Sequence, residues 1–130
     1  MTNALICNEE NPVFCSLIPT TDEERAEVYN MAVNPARRLS EMINKQITIK
    51  NIYVEMVDGV DNATGETWTA PRVVLQDVDG VTYSATSYGL FKACQRIVAL
   101  WGPAPWNGIP VTVIQHENNG RRSFSLKVEK

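Results

Sequence analysis

One stretch constrains this chain more than any other. From Gln46 to Val57, apolar and polar residues alternate for twelve positions rich in β-branched side chains, too long and too regular for a loop and wrong in period for a helix. Ile47 and Ile49 begin the apolar set, which resumes as Ile52, Val54 and Met56, so the parity flips near Lys50 and Asn51. A β-bulge at that point lets both apolar sets face one core and bends the strand sharply. A long bent strand of this kind serves a closed or curled sheet in which it pairs on both sides.

The rest of the chain supplies partners for it. Asp58 to Gly65 reads as a loop, Trp68 to Asp77 as a second strand entered through Pro71, Asp79-Gly80 as a hairpin turn, and Val81 to Thr86 as a third strand. Ser87 then caps a helix over Tyr88 to Trp101, whose core face is Leu90, Phe91, Cys94, Ile97, Val98 and Trp101. Gly102-Pro103 stops it, and Trp106 packs under a proline-bracketed loop. Ile109 to His116 is a fourth strand, Asn119-Gly120 a turn, and Ser123 to Val128 a fifth. Upstream, Thr20-Thr21-Asp22-Glu23-Glu24 has the form of a capping box starting a helix to about Met31. Asn34 caps a second helix over Pro35 to Ile43, and Met1 to Pro19 is an extended arm or irregular cover.

Three strands, one helix and a final hairpin make a mainly β chain with helices. Their order is that of the five-stranded OB-fold barrel, with its helix between strands three and four, here preceded by N-terminal helices. At 130 residues the chain is long enough for one such domain without a disulfide or metal. Residues 1 to 30 form an acidic arm with its first helix, and residues 31 to 130 form the barrel domain.

Composition excludes several functions. Cys7, Cys15 and Cys94 are odd in number and at no ligand spacing, which fits a reducing cytoplasm, with Cys94 a core thiol. Met1 to Glu10 lacks the basic start of a secretory leader, no apolar run is long enough to span a membrane, and the Asn62 sequon reads as part of a turn. His116 is the one histidine and more naturally sits at a strand edge than acts as a base. No phosphate loop, zinc motif or nucleophile elbow is present, and Asp77-Val78-Asp79-Gly80 lacks the ligands of a calcium loop. Neither catalysis nor a cofactor is expected.

The net charge of −3 conceals an uneven distribution. Glu9, Glu10, Asp22, Glu23, Glu24 and Glu27 face Arg25 alone in residues 1 to 30, a balance of −5, which leaves +2 on the remainder and +4 on residues 81 to 130. An acidic segment is attached to a mildly basic body, a hint of contact with a polyanion. Several aromatic and basic residues also fall out of phase with the core. Tyr53 opposes Ile52 and Val54 in parity, and Arg72 opposes Val73 and Leu75. Trp68 lies at a loop mouth, Tyr83 on the third strand and Tyr88 at the helix start, Lys50 sits at the bulge, and Arg121 and Arg122 occupy the last hairpin. Rings that stack on bases beside cations that follow phosphates are what sequence-tolerant binding of single strands needs. Each position also has an ordinary reading, Tyr83 as core, Arg121 with Arg122 as a solvated turn, Lys92 with Arg96 as an exposed helix face.

Asn34-Pro35-Ala36-Arg37-Arg38-Leu39-Ser40, the strand Ile47 to Val57, the run Pro71 to Tyr83, Ser87-Tyr88-Gly89-Leu90-Phe91 and Trp101-Gly102-Pro103-Ala104-Pro105-Trp106 carry a resemblance. The chain resembles the single-stranded DNA-binding proteins of small tailed bacteriophages that replicate linear genomes by protein priming, over about Asn30 to Lys130. The resemblance implies an OB-like barrel that coats displaced single-stranded DNA during viral replication in the host cytoplasm, beside the phage DNA polymerase and terminal protein. The rival expectation is a protein-interaction module on the same barrel, a virion or regulatory component. A hydrolase lacks any nucleophile and base. The acidic arm is expected either to lie over its own basic face, mimicking phosphate, or to link neighbouring protomers along the strand.

Overall fold

In the computed structural model, which describes residues 13 to 17, 19 to 102, 106 to 118 and 120 to 129, the long alternating stretch is one strand that organises the sheet. The described elements are β1 (Val13–Cys15), α1 (Asp22–Val33), β2 (Arg37–Arg38), a short 3₁₀ helix (Leu39–Met42), β3 (Gln46–Val60), β4 (Thr67–Asp77), β5 (Thr82–Thr86), α2 (Tyr88–Trp101), β6 (Ile109–Asn118) and β7 (Arg121–Val128). The chain is thus mainly β, with two α-helices among the described residues. One sheet holds all the strands in the order β2-β5-β4-β3-β6-β7, with β1 added to β3. Every described strand pair is antiparallel except β2 with β5, which makes the sheet mixed.

The bulge falls where the parity flip puts it, between Ile49 and Asn51. Before it, Gln46 to Ile49 pair with β6; beyond it, β3 pairs with β4 out to Val60 opposite Thr67. The extra residue is accommodated by a tertiary bond, since the Lys50 carbonyl accepts the Trp106 N–H at 3.2 Å. Ile47, Ile49, Ile52 and Val54 thereby join Val73, Leu75, Leu90, Cys94, Ile97, Val111 and Val113 in the main core. Burial pushes the Cys94 thiol strongly upward, as a core thiol requires.

Both turns follow the glycines, with Gly80 at φ 87° and Gly120 at φ 77°, conformations that favour glycine. At the first, Asp77 fixes the turn: its carboxylate accepts the Asp79 and Val81 N–H groups at 2.9 Å each and the Tyr83 hydroxyl at 3.2 Å. Its oxygens serve the hairpin. The α1 start is also as the residues dictate. The Thr21 hydroxyl accepts the Glu24 N–H at 3.1 Å, and Glu24 accepts the Thr20 N–H at 3.0 Å, a bond that holds its carboxyl below the usual range.

Three expectations are corrected. The helix over Pro35 to Ile43 is reduced to the 3₁₀ turn Leu39–Met42: Asn34 instead ends α1, donating its N–H to the Asn30 carbonyl at 2.9 Å, and Arg37 and Arg38 extend alongside Tyr83 and Ser84. Long-range partners override the local tendency here, because the Ala36 N–H bonds the Thr82 hydroxyl at 2.9 Å and Leu39 is fully buried. The Asp58 to Gly65 loop is shorter than expected, since pairing persists to Val60 and Thr67 and leaves a projecting ribbon. Trp101 is not core; it is 44% exposed, and with exposed Leu100 it lines an open surface cleft against Ser125, Leu126 and Val128 of β7. The arm expected over Met1 to Pro19 contributes β1 at its described end, while Cys7 and the rest of residues 1 to 12 lie outside the described residues.

One residue joins α2 to strands on both sides. Ser87 Oγ accepts the Leu90 N–H and the Phe124 N–H, each at 3.2 Å, and the Ser87 N–H reaches the Pro71 carbonyl at 3.2 Å. Ser87→Ala removes the helix cap and strands two N–H groups at once, so it lowers the unfolding free energy by about 1–2 kcal/mol. An unchanged urea midpoint for that variant is the result that contradicts this assignment.

Candidate nucleic-acid interface

The out-of-phase residues divide among three places. Trp68, Tyr88 and Arg122 are exposed, on the β3–β4 ribbon, at the start of α2 and on the β6–β7 hairpin respectively. Trp68 is 46% exposed and Tyr88 53%. Trp68 lies on the ribbon directly opposite Gly59, and its ring covers that glycine so closely that any side chain there would displace it. The Tyr88 hydroxyl donates to the Thr69 carbonyl at 2.7 Å, fixing a second ring beside the base of the same ribbon. From the other side, Gly89 approaches the Phe124 carbonyl, in a space that a Cβ would fill. Arg122 lies two residues before Phe124, opposite Glu117 on β6. The Arg121 side chain is outside the described residues.

Tyr83 lies elsewhere. It is 6% exposed within the main core, and its hydroxyl donates to Asp77. Burial, followed by the Asp77 carboxylate, raises its pKa.

Tyr53, Arg72 and Lys50 share a third environment, the outer face of β3 and β4. The parity argument holds, because Tyr53 points away from the main core; the face is nonetheless covered. Tyr53 is 6% exposed, packed with Val74 against Met31, Val28 and Ala32 of α1 and Cys15 of β1. Arg72 donates to Glu55 and to the Ala32 carbonyl near the end of α1, both at 2.9 Å, and Lys50 pairs with Glu27 of α1 at 3.3 Å. On the same face Asn51 and Gln76 stand opposite each other and share a bond of 2.9 Å. Burial, then Glu55, raises the Tyr53 pKa. No periodicity announces a helix lying over this face, because α1 itself shows no apolar stripe and buries Met31 alone.

Further exposed cations ring the molecule. Arg37, Arg38, Lys45, Lys92, Arg96 and Lys127 all reach solvent. Arg37 and Arg38 are exposed because they lie extended on the sheet margin, and Gly59 opposite Trp68 leaves room for a ring laid flat on a strand. Among the described residues no group of three or more His, Cys, Asp or Glu side chains is placed to hold a metal ion, and no helix is long and apolar enough to cross a membrane.

The two shielded tyrosines give a pH dependence. Their folded pKa values are raised above those of the unfolded chain, so their contribution to stability is complete below about pH 10, the ordinary tyrosine value, and is lost as pH rises further. Thermal melts across that range should show a decline that is shallower in Tyr53→Phe and Tyr83→Phe; parallel declines in wild type and variants would contradict it.

The comparisons with known proteins bear on this surface. Neither curated proteins nor solved structures give a match. A family model described as "Phage Single-stranded DNA-binding protein" matches residues 7 to 129, which takes in α1 and β1 as well as the sheet. With nearly its whole length matched, the chain belongs to the phage single-stranded DNA-binding protein family, whose common ligand is single-stranded DNA.

Proposed function

We propose that this protein coats single-stranded DNA without reading its sequence, protecting strands displaced during viral replication. The observation that carries the proposal is the pair of exposed rings, Trp68 on the β3–β4 ribbon and Tyr88 tied to the base of that ribbon through the Thr69 carbonyl, with the exposed Arg122 on the second hairpin. Every base has a face on which to stack, so rings fixed in this way bind tolerantly, and nearby guanidinium groups follow the phosphates.

The strand order supports an OB-like barrel as the scaffold. The meander β3-β4-β5, α2 after it, and the hairpin β6-β7 attached to β3 follow the connectivity of that fold, with β1, β2 and α1 as additions. OB-folds use the face of their central strands and the loops of two hairpins for oligonucleotides, and the Trp68 ribbon and the Arg122 hairpin correspond to those loops. On this reading Trp68, Tyr88, Arg122 and Arg121 form the outer contacts, Tyr53, Arg72 and Lys50 belong to the covered face, and Tyr83 supports the core. The phage DNA polymerase and terminal protein, and neighbouring copies along the strand, are the partners such a role calls for, in the cytoplasm of the host. The protein acts by binding alone, without catalysis.

Titration with poly(dT) tests the proposal. Binding quenches tryptophan emission and weakens steeply with salt, and Trp68→Ala weakens it by roughly five- to 150-fold, the equivalent of about 1–3 kcal/mol for one stacked base. Arg122→Ala reduces the salt slope by about 0.7, one phosphate contact on a single strand. Unaltered affinity in Trp68→Ala, or equal salt slopes, would remove this surface from the interface.

A further inference from the structure

The outer face of β3 and β4 is an unusual surface to bury under a helix. A face built only to be covered would be apolar, yet this one carries Asn51, Gln76, Tyr53, Glu55, Arg72 and Lys50. Asn51 is 1% exposed, and its Oδ1 finds no hydrogen-bond partner among the described residues. A buried acceptor left in this way carries a desolvation cost that a purely structural contact would have eliminated. The fit of α1 is also incomplete. A cleft of about 340 Å³ remains between helix and sheet, lined by Glu27, Asn30, Asn34, Gln76 and Thr82 among others.

What holds α1 in place is correspondingly slight. Met31 is its one fully buried side chain, with Val28 and Ala32 partly buried beside it. Among the described residues the bonds from the strands to the helix are electrostatic: Lys50 to Glu27, and Arg72 to the Ala32 carbonyl. Both sheet groups are cations, and both helix groups are oxygen acceptors, the chemistry that a phosphodiester presents. The helix also carries Asp22, Glu23 and Glu24 on its exposed first turn.

We infer that α1 is a displaceable acidic cover over an oligonucleotide site on the outer face of β3 and β4, where strand phosphates replace Glu27 on Lys50 and the Ala32 carbonyl on Arg72. Departure of the helix uncovers Tyr53 for stacking and gives the Asn51 and Gln76 amides base or sugar groups to bond. The free protein therefore spends part of its affinity on displacing its own helix. That self-competition is electrostatic, and salt weakens it together with DNA binding. The inference rests on the binding function proposed above and adds to it a second site and its control.

Hydrogen exchange on the full-length protein with and without saturating oligo(dT) tests it directly. The amides of Asp22–Val33 lose protection in the complex while those of β3 and β4 keep theirs. Two charge-matched variants give an independent reading: Glu27→Gln tightens binding by about two- to fivefold more than Glu23→Gln, the release of one part-exposed ion pair. Met31→Ala, which changes no charge, tightens it as well, provided its circular dichroism matches wild type. Unchanged or increased protection of α1 in the complex, or equal effects of the two glutamate variants, would overturn the cover. Absence of any oligo(dT) binding by wild type would instead overturn the function itself.

Discussion

The bend in β3 is the constraint on which everything else depends. A single strand pairs with β6 over its first residues and with β4 over the rest, and the bulge at Lys50 lets it do so while keeping Ile49 and Ile52 in one core. The dislocation frees a carbonyl that the pairing ladder cannot satisfy, and the chain answers with the Trp106 N–H from the loop after α2. The position of that loop, and through it the exit of α2, is tied to a flaw in a strand more than fifty residues earlier. Without the flaw the five residues of the apolar set would face two sides of a flat sheet, one of them unable to find cover.

Much of this was readable without coordinates, for a physical reason. The bulge, the glycine turns, the caps Thr21 and Ser87 and the face of α2 are all fixed by neighbours within a few residues, so local pattern carries them. The failures have the opposite character. Arg37 and Arg38 are extended because Tyr83 and Ser84 pair with them, and Leu39 is buried by residues far along the chain, so nothing within the segment itself rejects a helix. Trp101 keeps the correct spacing for the core face of α2 yet stays exposed, because spacing alone does not say what lies over the last turn of a helix.

The candidate site shows the same division at finer grain. Parity correctly sends Tyr53 and Arg72 to the side opposite the main core, since a strand has only two faces. Parity is silent on what lies over each face. That depends on α1, whose composition is acidic and whose apolar residues form no stripe, so its seat on the sheet is set by Lys50, Arg72 and the small patch around Met31. The uneven charge of the sequence, acidic at the start and basic after it, acquires a location through those contacts.

The shortness of β2 has a consequence of its own. An open sheet margin presents unpaired backbone groups on which a second molecule can add a strand and polymerise. The margin at β5 is closed by two residues in a parallel pairing, Arg37 and Arg38, both exposed. Two like charges on so short an edge repel a second copy of themselves and offer too few backbone groups to sustain a ladder. The β5 side of the sheet is therefore a poor template for a further strand, whatever crowds against it.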